Sequence, residues 1–482
     1  MTARAGQDLT SGPIVRTLLL FALPTLGSSI LQSLNGSINA IWVGQFLGEA
    51  ALAATANANL VMFLMFSAVF GFGMAATILV GQNMGARNVD GVRRVIGTTT
   101  GMFVIAASLV AIAGWYGAPA LLHLLATPPE VFDFALAYLR VIFLGLPPGM
   151  IVVLLTMGLR GTGDSMTPLW FMALSAVIDV VMNPVLILGL GPAPRMGIEG
   201  AATATLIANY AGLIGLVGYI YWRDLPLRLR GRELAYLLPD PKLLRTIVLK
   251  GVPMGMQMLV VSISALAMIG LVNREGAATT AAYGAANQMW TYIQMPAMAL
   301  GAAVSAMAAQ NIGAGRWERV GQITRAGIGI NILMTGSAVL LLLAIDRYVL
   351  SLFLGSDGHA MDIARHMNLI VSWGFILFGI TSVLSAAVRA NGAVMVPLLI
   401  LAISFIPVRL GLAAHFQPLI GADAIWWSYN AGAIATLLMT WAYYRWGGWR
   451  TIHMMAPTDP VEAEEMVMSE AEPVGRAHPT GV

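Results

Sequence analysis

No cysteine occurs in the 482 residues, so disulfides and thiolate metal sites are excluded and redox chemistry gives no compartment. Lysine is nearly absent: Lys242 and Lys250 are the only two, and the remaining cationic side chains are arginine. Charge of either sign is scarce. Only 10% of residues are charged, against about 25% in soluble globular proteins. There is no G-x-x-x-x-G-K-[ST] loop, so the chain carries no ATP-binding motif of that kind. His123, His359, His366 and His415 lack metal-ligand spacing. No paired acids and no serine–base pair fall inside the apolar segments, so neither an enzyme nor a metal site is expected. The net charge of +3 gives no footprint for nucleic acid.

What is present is apolar. Hydrophobic residues make up 58% of the chain. A spanning helix needs about 20 of them in a row. Twelve such runs are expected: 14–43, 50–80, 92–115, 132–157, 166–190, 200–222, 246–272, 277–309, 323–344, 361–388, 394–415 and 424–446. The fold class is therefore an all-α membrane protein with twelve transmembrane helices. Arginines gather after every second run: Arg87, Arg93 and Arg94; Arg160; Arg223, Arg228, Arg230 and Arg232; Arg316 and Arg319; Arg389. The positive-inside rule then puts both termini in the cytoplasm of a multi-pass inner-membrane protein in contact with the lipid bilayer. Residues 1–13 read as a cytoplasmic tail and 223–245 as a cytoplasmic linker. Residues 447–482, with Glu462, Glu464, Glu465, Glu470 and Glu472, read as a disordered tail.

The sequence repeats itself. Gly81-Gln82-Asn83-Met84-Gly85-Ala86 returns as Ala309-Gln310-Asn311-Ile312-Gly313-Ala314, a shift of 228 (310 − 82). Leu159-Arg160-Gly161-Thr162-Gly163 returns as Val388-Arg389-Ala390-Asn391-Gly392, a shift of 229 (389 − 160). Leu23-Pro24 returns as Val252-Pro253. Six helices per copy is an even number, so both copies start on the same side. They form two pseudo-symmetric lobes as parallel repeats, 14–222 and 246–446, with a substrate path between them.

One carboxylate, Asp179, lies deep in an apolar run. A charge at the bilayer centre costs about 2.5–3.5 kcal/mol on insertion scales, so such residues are rare and usually functional. Asn183 is one turn on, and Pro184 frees the carbonyl of Val180. The group suits a proton or Na+ site. Alternatively Asp179 is a structural ion pair, with Arg140 of the same half the expected partner and Arg409 the other in-membrane cation. Asn35 and Asn39, with Gln32 nearby, repeat the one-turn spacing in the first run, as do Thr205 and Asn209 in the sixth. In the second half Gln257, Asn287, Gln288, Trp290 and Tyr292 form an uncharged polar and aromatic set. It suits a cavity for organic cations, or ordinary helix packing.

These motifs, in order and repeated, resemble the multidrug and toxic compound extrusion (MATE) family. The carrying residues are Leu23-Pro24, Ile41-Trp42-Val43-Gly44, Val80-Gly81-Gln82-Asn83-Met84-Gly85-Ala86, Leu159-Arg160-Gly161-Thr162-Gly163-Asp164, Asn183-Pro184, Gly200-Ala201-Ala202-Thr203-Ala204-Thr205 and Gln310-Asn311-Ile312-Gly313-Ala314. The resemblance implies a monomeric exporter of drug-like organic cations. Its lobes rock between inward- and outward-open states, driven by H+ or Na+ and needing no other cofactor. It also implies coupling residues. Asn39 stands where relatives carry Asp. Asp179 and Asn183 reverse the Asn–Asp order of the DinF-like branch, whose threonine matches Thr205. The acidic positions of the NorM-like second half fall near Val261 and Phe378, both apolar. A lipid-linked-sugar flippase of the same superfamily is the alternative. It calls for several interior cations, and only Arg140 and Arg409 are candidates.

Overall fold

The computed structural model describes residues 8–124, 127–354 and 358–454. The first half contains α1 (Ile14–Leu47), α2 (Glu49–Gly85), α3 (Val89–Leu124), α4 (Pro129–Gly161), α5 (Met166–Leu188) and α6 (Ile198–Trp222). The second contains α7 (Pro241–Asn273), α8 (Ala277–Gly313), α9 (Trp317–Leu354), α10 (His359–Val371), α11 (Gly374–Arg389), α12 (Met395–Ile420) and α13 (Asp423–Trp446). No strand occurs among the described residues.

Most helices outrun the apolar segments that announce them, because backbone hydrogen bonding continues where hydropathy stops. Asp240 shows how an end is set. Its carboxylate accepts from the backbone N–H of Lys242 at 2.8 Å and of Leu243 at 3.4 Å, and Pro241 fills the first helical position. Pro184 sits inside α5 without ending it. The expected single run 361–388 is instead two helices, α10 and α11, bent by 42°. Asn430 of α13 causes the break: its amide donates to the Ile370 carbonyl at 2.7 Å, and its Oδ1 lies where a Cβ on Gly374 would be. The expected run 394–415 is also longer and irregular. Ser404–Leu410 of α12 winds as a π-helix around Pro407.

Large apolar side chains such as Leu109, Ile214 and Leu333 face outward on α3, α6 and α9, as lipid contact requires. Within the first half α2, α3 and α6 pack on α4, while α1 and α6 pack on α5. Within the second, α8 packs on α9, α10 and α11, and α13 packs on α11 and α12. The halves meet where α1 and α2 cross α7 and α8.

That meeting is tightest at the end carrying the repeated Gln-Asn motifs. Gln82 donates to the Ala390 carbonyl of the opposite half at 2.7 Å, and Gln310 donates to the Gly161 carbonyl at 3.0 Å. The bonds are related by the sequence repeat. A Cβ on Gly85 would strike the Gln310 backbone, and one on Gly313 would strike the Gln82 backbone, so only glycine permits this approach. Farther along the same helices, Gly36 of α1 and Gly284 of α8 have open space in front of them.

The described parts of both tails pack: residues 8–13 of the expected cytoplasmic tail and 447–454 of the stretch read as disordered. Leu9 is fully buried. Its N–H donates to Gln310 Oε1 at 3.1 Å, and its carbonyl accepts from Asn311 at 3.1 Å. Arg316 and Arg319 hold the carbonyls of Thr10 and Gly12. At the other tail Trp449 is buried against Tyr444 and Trp317, and its carbonyl accepts from Asn391 at 2.9 Å. The acidic residues Glu462 to Glu472 lie outside the described residues. Residues 231–237 of the linker form a short 3-10 helix against α3.

Candidate functional site

Asp179 is 2% exposed, on the face of α5 that α1 and α6 cover. Its carboxylate is met by four side-chain donors. Asn35 and Asn39 of α1 donate to Oδ2 at 2.8 and 2.7 Å. Asn183, one turn along α5, and Thr205 of α6 donate to Oδ1, each at 3.1 Å. Asn183 also donates to Asn39 Oδ1 at 3.0 Å and to the Asp179 carbonyl at 3.0 Å. All of these donors are neutral. Among the described residues no cation lies within ion-pair distance of the carboxylate.

The structural ion pair with Arg140 is therefore not formed. Arg140 lies over the Trp115 ring of α3 at 5.6 Å, a cation–π contact in place of the ion pair. Two oxygens in the cluster, Asn35 Oδ1 and Asn183 Oδ1, are buried without a hydrogen-bond partner. A buried acceptor without a donor is costly. Here two of them stand beside a carboxylate, which is a donor set for a hard cation such as Na+. Equally, a proton on Asp179 would give one of them a donor.

A cavity of about 270 Å³ opens next to the cluster, lined by Asn39, Asn183, Thr205, Asn209, Tyr138 and the bare backbones of Gly145 and Gly149 among others. Asn39, Asn183 and Thr205 thus face both the cavity and Asp179, which lies behind them. Tyr138 was not legible as a lining residue, since one tyrosine on an apolar helix has no distinguishing spacing. Gln32 is exposed on α1, outside the cluster.

The second half is organised differently. Trp290 is 1% exposed and donates to Asn368 Oδ1 at 2.9 Å, so it belongs to the core between α8 and α10 rather than to a substrate cavity. Gln257 is likewise structural, accepting from Arg389 at 3.1 Å and reaching the Val394 carbonyl at 3.5 Å. Asn287, Gln288 and Tyr292 lie on an exposed strip of α8. Tyr283 and Tyr429 share a hydroxyl–hydroxyl bond of 2.7 Å. Arg409 of α12 lies 3.5 Å above the Tyr429 ring and 5.4 Å from that of Phe405.

A helical bundle built from two repeats, with a buried carboxylate cluster among apolar helices, is the architecture of a polytopic membrane protein with a candidate ion site. Comparison with known proteins gives the family. Residues 24–185 and 253–414 each match the MatE family model, and the two stretches are offset by 229 (253 − 24), the register of the internal repeat. The chain belongs to the MATE family, whose members are membrane transporters rather than enzymes. It is 36% identical over 442 residues to the probable multidrug resistance protein YoeA of Bacillus subtilis, covering 91% of this chain and 95% of that one. Over 413 residues it is 26% identical to a FAD transporter of Shewanella oneidensis, covering 85% and 89%. The crystal structure of MATE in complex with MaD3S superposes with a TM-score of 0.84 at 19% identity, covering 93% of this chain and all of that one. MATE in the straight conformation gives 0.83 at 20% identity, with 93% and 98% covered. The fold of these neighbours is the two-lobe, twelve-helix bundle. Here α10 and α11 together make one of the twelve spans.

Proposed function

We propose that this protein is a cation-coupled efflux antiporter, in which H+ or Na+ entering at Asp179 drives export of drug-like, mainly cationic organic compounds. The observation that carries the reading is the Asp179 carboxylate, buried and ringed by neutral donors from three helices, with no cationic side chain within ion-pair distance among the described residues. The names of the multidrug resistance relatives support the substrate class.

The geometry suggests how loading would couple to tilting. Asn35 and Asn39 tie α1 to α5 through one carboxylate oxygen. An incoming cation competes for that oxygen. A proton turns an acceptor into a donor, and Na+ requires amide oxygens in place of amide N–H groups. Either way the α1–α5 bonds must be remade. The tightly packed end carries the arginine-rich turns, so by the positive-inside rule it faces the cytoplasm. A DinF-like rather than NorM-like reading is supported by the first-half site, where Asn39 and Thr205 join Asp179 and Asn183. We take the transporter to be a monomer in the inner membrane with both termini inside.

The test is transport by purified protein in vesicles under an imposed pH or Na+ gradient. Asp179→Asn is expected to bring gradient-driven efflux to the protein-free background while leaving the thermal transition of the protein in place. Undiminished efflux by that variant would sink the reading. Dependence on one gradient alone identifies the ion.

A further inference from the structure

Arg409, like Arg140, is an in-membrane cation that the coupling site leaves unused. It is 9% exposed and sits midway along α12, where a charged side chain inside a membrane protein is retained for a reason. No carboxylate lies within ion-pair distance of it among the described residues, and its Nε is buried without an acceptor. The Tyr429 face at 3.5 Å offsets the charge but accepts none of the five guanidinium N–H groups in their own plane. Ser404, in the same π-helical turn, keeps a fully buried hydroxyl that also lacks a partner. Gly432 of α13 lets the turn approach: a Cβ there would come within 3.2 Å of Arg409 Cβ and 3.4 Å of the Ser404 carbonyl.

The repeat gives this position a meaning. α5 and α12 are corresponding helices, beginning at Met166 and Met395, 229 apart (395 − 166). In that register Asp179 falls on Val408. A π turn holds one more residue than the α-helix it interrupts. The turn at Ser404–Leu410 spans that position, and Arg409 lies one residue beyond it. The two halves carry opposite charges within one residue of repeat-related positions.

We propose that Arg409, with its aromatic cage, is an anion subsite of the second half, and that it takes the carboxylate or phosphate of an amphoteric aromatic substrate. The proposal rests on the transport reading above but not on coupling. The Tyr429 and Phe405 rings offer stacking faces, the guanidinium supplies paired N–H donors in one plane, and a carboxylate or phosphate matches them with two oxygens. A purely cationic substrate gains nothing from this site and meets a like charge.

The experiment is equilibrium binding to the purified, full-length protein in phosphatidylcholine nanodiscs, read by fluorescence anisotropy. The probes are rhodamine B, which carries a free carboxylate, and its methyl ester, which does not. The expected result is that wild type binds the acid at least about tenfold more tightly than the ester. Arg409→Gln brings the two within about twofold by weakening the acid alone, and Arg409→Lys restores part of the preference. A wild type without preference for the acid overturns the proposal even if no variant folds. So does an Arg409→Gln protein that keeps the preference. A second arm adds phosphatidylglycerol to the discs. If the anionic lipid suppresses acid binding to wild type at constant ester binding, the subsite belongs to a headgroup phosphate, and the substrate assignment falls. Asp179→Asn separates the two readings, since it is expected to keep the preference for the acid while losing gradient-driven efflux.

Discussion

At their closed end the two halves of this transporter are near copies, and in their interiors they are opposites. Gln82 and Gln310 make the same cross-half bond in mirrored roles, and Gly85 and Gly313 make the same backbone approach. Deeper in, α5 offers a carboxylate wrapped in amides, while α12 offers a guanidinium wrapped in aromatic rings. The first half keeps its polar side chains around a cavity; the second turns Trp290 and Gln257 into core and helix-end contacts. The lesson is that the repeat preserves what the backbone demands and frees the rest. A close helix crossing tolerates one residue type, whereas an interior position only needs its polarity answered locally.

The resemblance at the closed end breaks most readily at its glycines. Gly313→Ala puts a methyl group against the Gln82 backbone, which no rotamer change can relieve. A penalty of about 1–3 kcal/mol is expected, enough for a roughly tenfold or larger shift away from the closed arrangement. The absence of native cysteine makes the check direct. Spin labels on Arg87→Cys and Glu318→Cys should report longer distances in the Gly313→Ala background. Gly321→Ala, where a Cβ meets nothing within 4 Å, should leave the distances alone. Unmoved distances in Gly313→Ala would mean that the helices slide apart locally and that the crossing is not shared by the two halves.

The contrast between the interiors can be sharpened by moving the acid. Asn183 already touches Asn39 and the Asp179 carboxylate. Exchanging the pair, Asp179→Asn with Asn183→Asp, keeps the charge among the same donors and restores the order of the DinF-like branch. Vesicle transport is expected to return to within about tenfold of wild type, given that buried carboxylates tolerate repositioning only where donors follow them. Transport at the protein-free background would show that the acid must sit at position 179 itself.

Much of this was readable in advance, and the exceptions have physical causes. Hydropathy placed the spans and the repeat paired them, because both follow from the low-dielectric solvent. Asp179, Asn183, Asn39 and Thr205 were found together since a lone acid in oil needs donors from neighbouring helices. Asn35 was legible through its one-turn spacing to Asn39. The alternative in which Arg140 pairs with Asp179 is not realised: sequence tells that a cation is near the membrane interior but not which neighbour it meets. Trp290 and Gln257 follow the packing alternative left open for the second-half set: a polar atom satisfied by one neighbour looks no different in sequence from one that awaits a substrate. The break between α10 and α11 depends on Asn430, some sixty positions along the chain, and no local signal carries it. Burial of Leu9 and Trp449 was hidden because short flanking segments have no periodicity of their own.

The smallest expected effect tests where the closed end departs from symmetry. Gln82 makes one cross-half bond, whereas Gln310 makes one and also accepts from the N–H of Leu9. Each such bond contributes about 0.7 kcal/mol net, within the usual range for neutral pairs. Gln82→Leu should therefore favour the open arrangement of this end by about threefold, and Gln310→Leu by about tenfold. The same label pair reads both populations. Equal shifts would mean that the segment carrying Leu9 rests on the closed end without holding it. A larger shift for Gln310→Leu would assign the strap at residues 8–13 to the second half alone, a device with no counterpart at Gln82.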